Sequence, residues 1–307
     1  MRDDSALTPL DVAEILKITK NTVYELIKRG ELKGYKVGKK IRVDMKDVED
    51  YKNCSRNNKA YNVEIVHGKI DYNDCFIISG QDIMLDIIAR RLEKNFKGFS
   101  PLRSYEGSYN GLYALYQGKV QVATAHLWDG DTGEYNVPYV KRMLPGVPAV
   151  IVHLAKRMQG FYIGKGNPKN IKGWEDLKRS DITIINREKG SGTRVLLDEQ
   201  LRLRGINPSS INGYDKECSS HLGIASTVAR GEADIGLGNE KSGLQVTGIE
   251  FIPLQQERYE MIIKKEDFHK PNFQAIMKVI NSEEFKRDLE GIGGYDLTDM
   301  GKVVGET

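Results

Sequence analysis

The sequence predicts an α/β protein built in two pieces, a small basic module at the amino terminus and a larger α/β domain behind it. Three observations predict it. Two short amphipathic segments, a tight turn and a pair of short β-type runs occupy residues 1–52. A polar stretch without periodicity, beginning Lys52-Asn-Cys-Ser-Arg-Asn-Asn-Lys59, places a linker over 53–74. Beyond it, through residues 75–307, apolar runs of strand length alternate with helix-period segments, and nothing repeats at a fixed period.

In chain order, Thr8 reads as the N-cap and Pro9 as the first turn of a helix ending at Leu16, with Leu10, Ala13 and Leu16 on its apolar face. Residues 17–20 turn the chain into a second helix over 21–29. Val23, Leu26 and Ile27 face inward there, and Gly30 is the stop. Residues 34–43 read as two short strands about a glycine-containing turn, and Asp44 caps a last helix over 45–51. In the larger domain, strands are expected at 75–79, 120–125, 150–154, 160–163, 182–186, 233–238, around Phe251 and at 259–263. Helices are expected at 82–94, 111–117, 193–204, 222–230 and 273–289. Such alternation predicts an open parallel sheet with helices on both faces.

Charge separates the two pieces. The formal net charge is only +3, but residues 1–59 carry 14 Lys and Arg against 10 Asp and Glu, while the remainder carries 32 against 33. A basic module beside a near-neutral domain points to a polyanion partner for the small piece alone. Helix, turn, helix and basic hairpin form the arrangement that lays a helix in the major groove and a wing against the backbone. Lys20, Asn21, Thr22, Tyr24, Lys28 and Arg29 are the candidates on the second helix for phosphate and base-edge contacts, and Lys39, Lys40 and Arg42 on the wing. The words Leu7-Thr-Pro-Leu-Asp-Val-Ala-Glu-Ile-Leu16, Thr22-Val-Tyr-Glu-Leu-Ile-Lys-Arg-Gly-Glu-Leu32 and Val37-Gly-Lys-Lys-Ile-Arg-Val43 resemble the excisionase/MerR-like winged helix-turn-helix family. The resemblance implies double-stranded DNA as partner and, since such domains read paired half-sites, a homodimer or higher homo-oligomer.

Four strand-to-helix corners of the larger domain are rich in small and hydroxylated residues: Ser79-Gly80, Glu106-Gly-Ser-Tyr-Asn-Gly111, Asn186-Arg-Glu-Lys-Gly-Ser-Gly-Thr-Arg194 and Ser219-Ser-His221. Free amides at helix starts, helped by hydroxyls, make anion sites, and open α/β sheets bind ligands beyond their carboxyl strand ends. Gly107-Ser-Tyr-Asn-Gly-Leu-Tyr-Ala-Leu115, Ala125-His-Leu-Trp-Asp129, Arg157-Met-Gln-Gly160, the Asn186 word, Gly231-Glu-Ala-Asp-Ile-Gly-Leu-Gly238 and Glu257-Arg-Tyr259 together resemble a periplasmic-binding-protein-like module. That module belongs to cytoplasmic regulators and molybdopterin-biosynthesis fusions and is similar to molybdate- and tungstate-binding proteins. The resemblance implies a type II fold of two lobes, residues 75–155 with 255–307 and residues 156–254, clasping a ligand at a hinge. It implies Ser79, Gly80, Gly107, Ser108, Ser191, Gly192, Thr193 and Ser220 as ligand-binding residues, with His126, Arg187, Arg194 and His221 lining the cleft. The implied effector is molybdate or tungstate. Two arginines suit a carboxylate or phosphate as well, and either may be an ion-pair partner of Glu188 or Glu257 instead.

Other classes find little support. No His-Glu-x-x-His, phosphate-binding Gly-Lys-[Ser/Thr] or Gly-x-Ser-x-Gly pattern occurs, so no enzyme is expected, and no cofactor or metal. Cys54, Cys75 and Cys218 are widely spaced, no apolar run reaches bilayer length and no export signal opens the chain, which together predict a cytoplasmic location. Two rival functions share these features: an architectural DNA-binding factor whose large domain holds a protein, and a molybdenum-cofactor-related binding protein.

Overall fold

The computed structural model describes residues 6–28, 32–38, 40–56 and 76–307, without the side chains of Ala6, Lys28, Lys36, Val37, Asp50 and residues 52–56. Arg29, Gly30, Lys39, Cys75 and residues 57–74 of the expected linker lie outside the described residues. The described residues up to 56 form one compact unit and residues 76–307 a second.

The first unit runs β1 (Ala6–Leu7), α1 (Pro9–Leu16), α2 (Lys20–Lys28), β2 (Tyr35–Val37), β3 (Lys40–Asp44) and α3 (Met45–Arg56). Thr8 opens α1 with a capping box: its side chain accepts from the Asp11 amide while its own amide donates to the Asp11 carboxylate at 2.8 Å. Val12, Ala13, Val23, Leu26, Leu32, Val43 and Val48 form the core. Leu10, expected on the inner face, is 54% exposed. Pro9, Val12 and Ala13 set the buried stripe instead, and that i, i+3, i+4 spacing leaves Leu10 on the outer side. The hairpin pairs Val37 with Lys40, and Gly38 takes φ +61°, the left-handed conformation such two-residue loops require. β1 adds to the other edge of β3, giving the order β1-β3-β2.

In the second unit, lobe 1 begins with β4 (Ile77–Ser79), α4 (Ile83–Asn95), β5 (Leu102–Ser104), α5 (Ser108–Tyr116), β6 (Val122–Ala125) and α6 (Val137–Met143). The long strand β7 (Ala149–Gly164) crosses to lobe 2, which holds β8 (Ile184–Arg187), α7 (Gly192–Leu203), β9 (Glu217–Cys218), α8 (His221–Ala229), β10 (Ile235–Asn239) and α9 (Glu240–Gly243). Strand β11 (Ile249–Lys264) returns to lobe 1, followed by α10 (Lys265–Phe268), α11 (Pro271–Ile280), α12 (Glu283–Ile292) and β12 (Val303–Glu306). Strand order is β5-β4-β6-β11-β7-β10-β8-β9, with β12 on β7. Neighbouring residues on single strands alternate between two cores. Val122, Val152 and Met261 pack with α4 and α11, whereas Ala123, Ile151 and Ile262 pack with α5 and α6. Helices therefore cover both faces, as the alternation predicts.

Two expectations are corrected. The sheet is mixed rather than parallel, because β7 and β11 pair antiparallel from Ile249 opposite Gly164 to Lys264 opposite Ala149. They absorb the four short strands expected at 150–154, 160–163, Phe251 and 259–263. Lys156, Arg157 and Gln159 on one and Gln255, Glu257 and Arg258 on the other break the apolar pattern where the strands pass between lobes. The helix expected at 273–289 is two helices, α11 and α12. Ser282 ends the first and caps the second by accepting from the Phe285 amide.

Candidate functional site

A cavity of about 220 Å³ lies between the lobes, where the starts of α4, α5, α7 and α8 meet. Gly80, Gly107, Ser108, His126, Arg187, Ser191, Gly192 and His221, all named from the sequence, line it. Each helix presents first-turn amides that have no partner one turn back, and their dipoles add positive potential at the same point. Glycines let the lobes approach. A Cβ at Gly107 would stand 2.7 Å from the Gly190 carbonyl oxygen, and one at Gly192 would stand 2.6 Å from the His126 ring. The Tyr109 amide of lobe 1 donates to that Gly190 oxygen at 2.9 Å.

Four residues named with these do not reach the cavity lining. Ser79 is wholly buried beneath Gly111, its Oγ unpartnered, and Thr193 is buried with Oγ1 likewise unpartnered. Ser220 caps α8 by accepting from the Gly223 amide at 3.0 Å. Arg194, two residues into α7 past the cavity-lining Gly192, is paired elsewhere. Its guanidinium lies 3.1 Å from Asp198, 3.0 Å from Glu217 and 4.4 Å from the centre of the Tyr214 ring.

Sequence reasoning weighed Glu257 as an arginine partner but did not place Arg157, Glu257 or Asp82 at the back of the cleft. Arg157 on β7 and Glu257 on β11 are register partners, both buried. The Arg157 guanidinium meets Glu257 and Asp82 at 2.5 Å each and lies 4.0 Å from the centre of the Tyr259 ring. Glu257 also meets His126 Nδ1 at 2.6 Å and accepts from Gln159 Nε2 at 2.8 Å. Burial opposes the charge on Glu257, but Arg157, His126 and Gln159 outweigh it and hold the carboxyl at about 2. Asp82 accepts from the Tyr295 hydroxyl at 2.7 Å. The overlooked signal was present in the sequence: charged residues inside runs otherwise apolar enough for central strands.

Arg187 is a buried cation of lobe 2 that lines the cavity. It donates to Glu188 from Nε at 2.7 Å and from Nη2 to Gln81 Oε1 of lobe 1 at 2.7 Å. Of the two acids weighed as arginine partners, Glu188 therefore takes Arg187 and Glu257 takes Arg157. His221 is pushed well below its ordinary value, first by burial and then by Arg187, Arg157 and His126, so the cleft contains a neutral imidazole. The arrangement offers amides, hydroxyls and cations to a small anion.

On the first unit, Lys20, Asn21, Thr22 and Tyr24 are exposed on α2, with the Lys20 ammonium 5.9 Å from the Tyr24 ring centre. Lys28 is the last residue of α2. Lys40 is exposed on β3, and the half-buried Arg42 donates to the Ile41 carbonyl at 3.1 Å.

Residues 89–281 match the model of the PBP superfamily domain. The chain belongs to the PBP superfamily. In this PBP-superfamily protein, residues 6–53 match a helix-turn-helix domain. It is 43% identical to the Bacillus subtilis protein YvgK over 312 aligned residues, covering all of both chains. A Clostridium pasteurianum protein encoded 5′ of a 2Fe-2S ferredoxin gene is 62% identical over 112 residues, 36% of this chain and 99% of that one. Solved structures share the fold at low identity. A Clostridium perfringens protein of the phosphate-transporter substrate-binding type, with phosphate bound, matches at TM-score 0.54 and 17% identity over 72% of this chain and 98% of its own. The sulfate-binding protein SubI of Mycobacterium tuberculosis matches at 0.53 and 13%, over 72% and 85%. A Corynebacterium glutamicum OxyR mutant matches at 0.52 and 11%, over 93% and 89%. No helix among the described residues is long and apolar enough to cross a membrane.

Proposed function

We propose that the protein is a one-component transcriptional regulator that binds double-stranded DNA through its helix-turn-helix domain and a small anion in its cleft. The observation that carries this reading is the convergence of the α5, α7 and α8 starts with Arg187 on one small cavity, in a chain whose other domain is a helix-turn-helix. A volume of about 220 Å³ falls below the roughly 300–1,000 Å³ of organic-ligand pockets. It suits a tetrahedral oxyanion, and molybdate or tungstate, the ions implied by the sequence resemblance, meet that size and charge. Phosphate and sulfate in the fold neighbours support the same class of ligand. The anion draws the lobes together about the strands β7 and β11, and closure changes how paired helix-turn-helix domains of a cytoplasmic dimer meet their half-sites. Chemistry on the ligand is not part of this function.

Calorimetry of the full chain with molybdate, tungstate, sulfate, phosphate and small carboxylates tests the ligand, and a gel shift on the gene's own upstream DNA with and without that ion tests the response. One tetrahedral anion should bind tightest, lose affinity in Arg187→Gln and alter the shift. Heat from none of these ions would sink the reading.

A further inference from the structure

The cleft also contains a cation that no other side chain claims. Five basic side chains line it. Arg157 is taken by Asp82 and Glu257, Arg187 by Glu188 and His126 by Glu257, while His221 is held neutral. Lys241, near the start of α9 in lobe 2, is different. Its Nζ is buried without a hydrogen-bond partner, and no carboxylate among the described residues lies within salt-bridge distance. What faces the ammonium is the ring of Tyr295 in lobe 1, 4.3 Å from its centre, and that tyrosine has already spent its hydroxyl on Asp82. Gly294 runs close to the lysine stem, and a Cβ there would stand 3.2 Å from Lys241 Cβ. Burying an ammonium against an aromatic face alone satisfies none of its three donors. The unmet demand is for an acceptor carrying negative charge.

We infer that Lys241 is the specificity-determining residue of the cleft: it donates directly to the bound anion and selects dianions over monoanions. The inference rests on the anion-binding reading above. Burial also lowers the proton affinity of Lys241, with Asp82 opposing from a distance, and an anion beside the ammonium would reverse that penalty. Because Lys241 and Tyr295 stand on opposite lobes, an anion held there also links the two walls of the cleft.

The test uses the full chain, Lys241→Gln and Lys241→Met, with sulfate and molybdate as dianions and nitrate as monoanion. Loss of a charge-assisted hydrogen bond should weaken the dianions roughly 10- to 100-fold in both variants. Nitrate affinity should stay nearly unchanged, so the dianion preference collapses while the melting temperature does not. If the wild type binds sulfate but both variants keep its dianion preference, the assignment of Lys241 falls and the anion reading stands. If the wild type gives no heat with these three ions, nor with tungstate, phosphate or the small carboxylates, both fall together.

Discussion

Glu257 is 1% exposed and meets Arg157, His126 and Gln159, so its loss would strand a buried guanidinium beside the cleft. Glu257→Ala is expected to cost about 3–5 kcal/mol, read by urea denaturation, since breaking a buried pair leaves an uncompensated charge. Glu257→Gln should cost less, because Asp82 still neutralises Arg157 and the amide still fills the space. The lowered pKa of the wild-type Glu257 carboxyl contributes stability that is present above about pH 4.5 and is lost as pH falls toward about 2. His221 acts in a different window. The unfolded chain takes up a proton near 6.5 and the folded chain refuses it, so stability falls as the solution is acidified below that value. His221→Gln should flatten the decline in melting temperature between roughly pH 7 and pH 5. An unchanged slope in the variant would show that the acid sensitivity arises elsewhere.

Among elements, the junctions between lobes are the most exposed to small changes. A methyl group at Gly107 meets backbone of the opposite lobe, which cannot yield as a side-chain tip can. Gly107→Ala should therefore hold the lobes apart: ligand affinity drops at least tenfold and the scattering radius in ligand grows, while the denaturation midpoint stays close to wild type. Ser282→Ala removes the cap of α12 and should cost about 1 kcal/mol, seen as a lower denaturation midpoint with ligand affinity intact. Element ends of this kind were partly legible. Thr8 and Pro9 announce α1 through local chemistry. The break at Ser282 is marked more faintly, by a slip of phase: at helical spacing Phe285 and Leu289 fall on the side opposite Phe273, Ile276 and Ile280. The long strands were misread for a different reason. Arg157 and Glu257 look like surface residues in one dimension and are the cleft's interior in three.

For the whole molecule, affinity for DNA should depend on the basic face of α2 and β3. Lys20→Ala and Lys40→Ala are each expected to weaken binding across all sequences and to lower the salt slope by about one, measured by titration at several salt concentrations. Equal slopes in wild type and both variants would remove these lysines from the interface. The sequence by itself determined the two-unit organisation, the helix-turn-helix, the helices on both faces of the sheet and the glycine- and hydroxyl-rich corners at helix starts. Those features depend on local capping, periodicity and turn chemistry, which neighbouring residues carry. Only the tertiary structure decided which corners meet. It brought Glu217 to Arg194, seated Arg157 and Glu257 side by side across β7 and β11, and left Lys241 lining the cavity with no carboxylate of the described residues in salt-bridge reach. Charge pairing across residues 100 positions apart depends on the register of β11 against β7, and no window of sequence contains that distance.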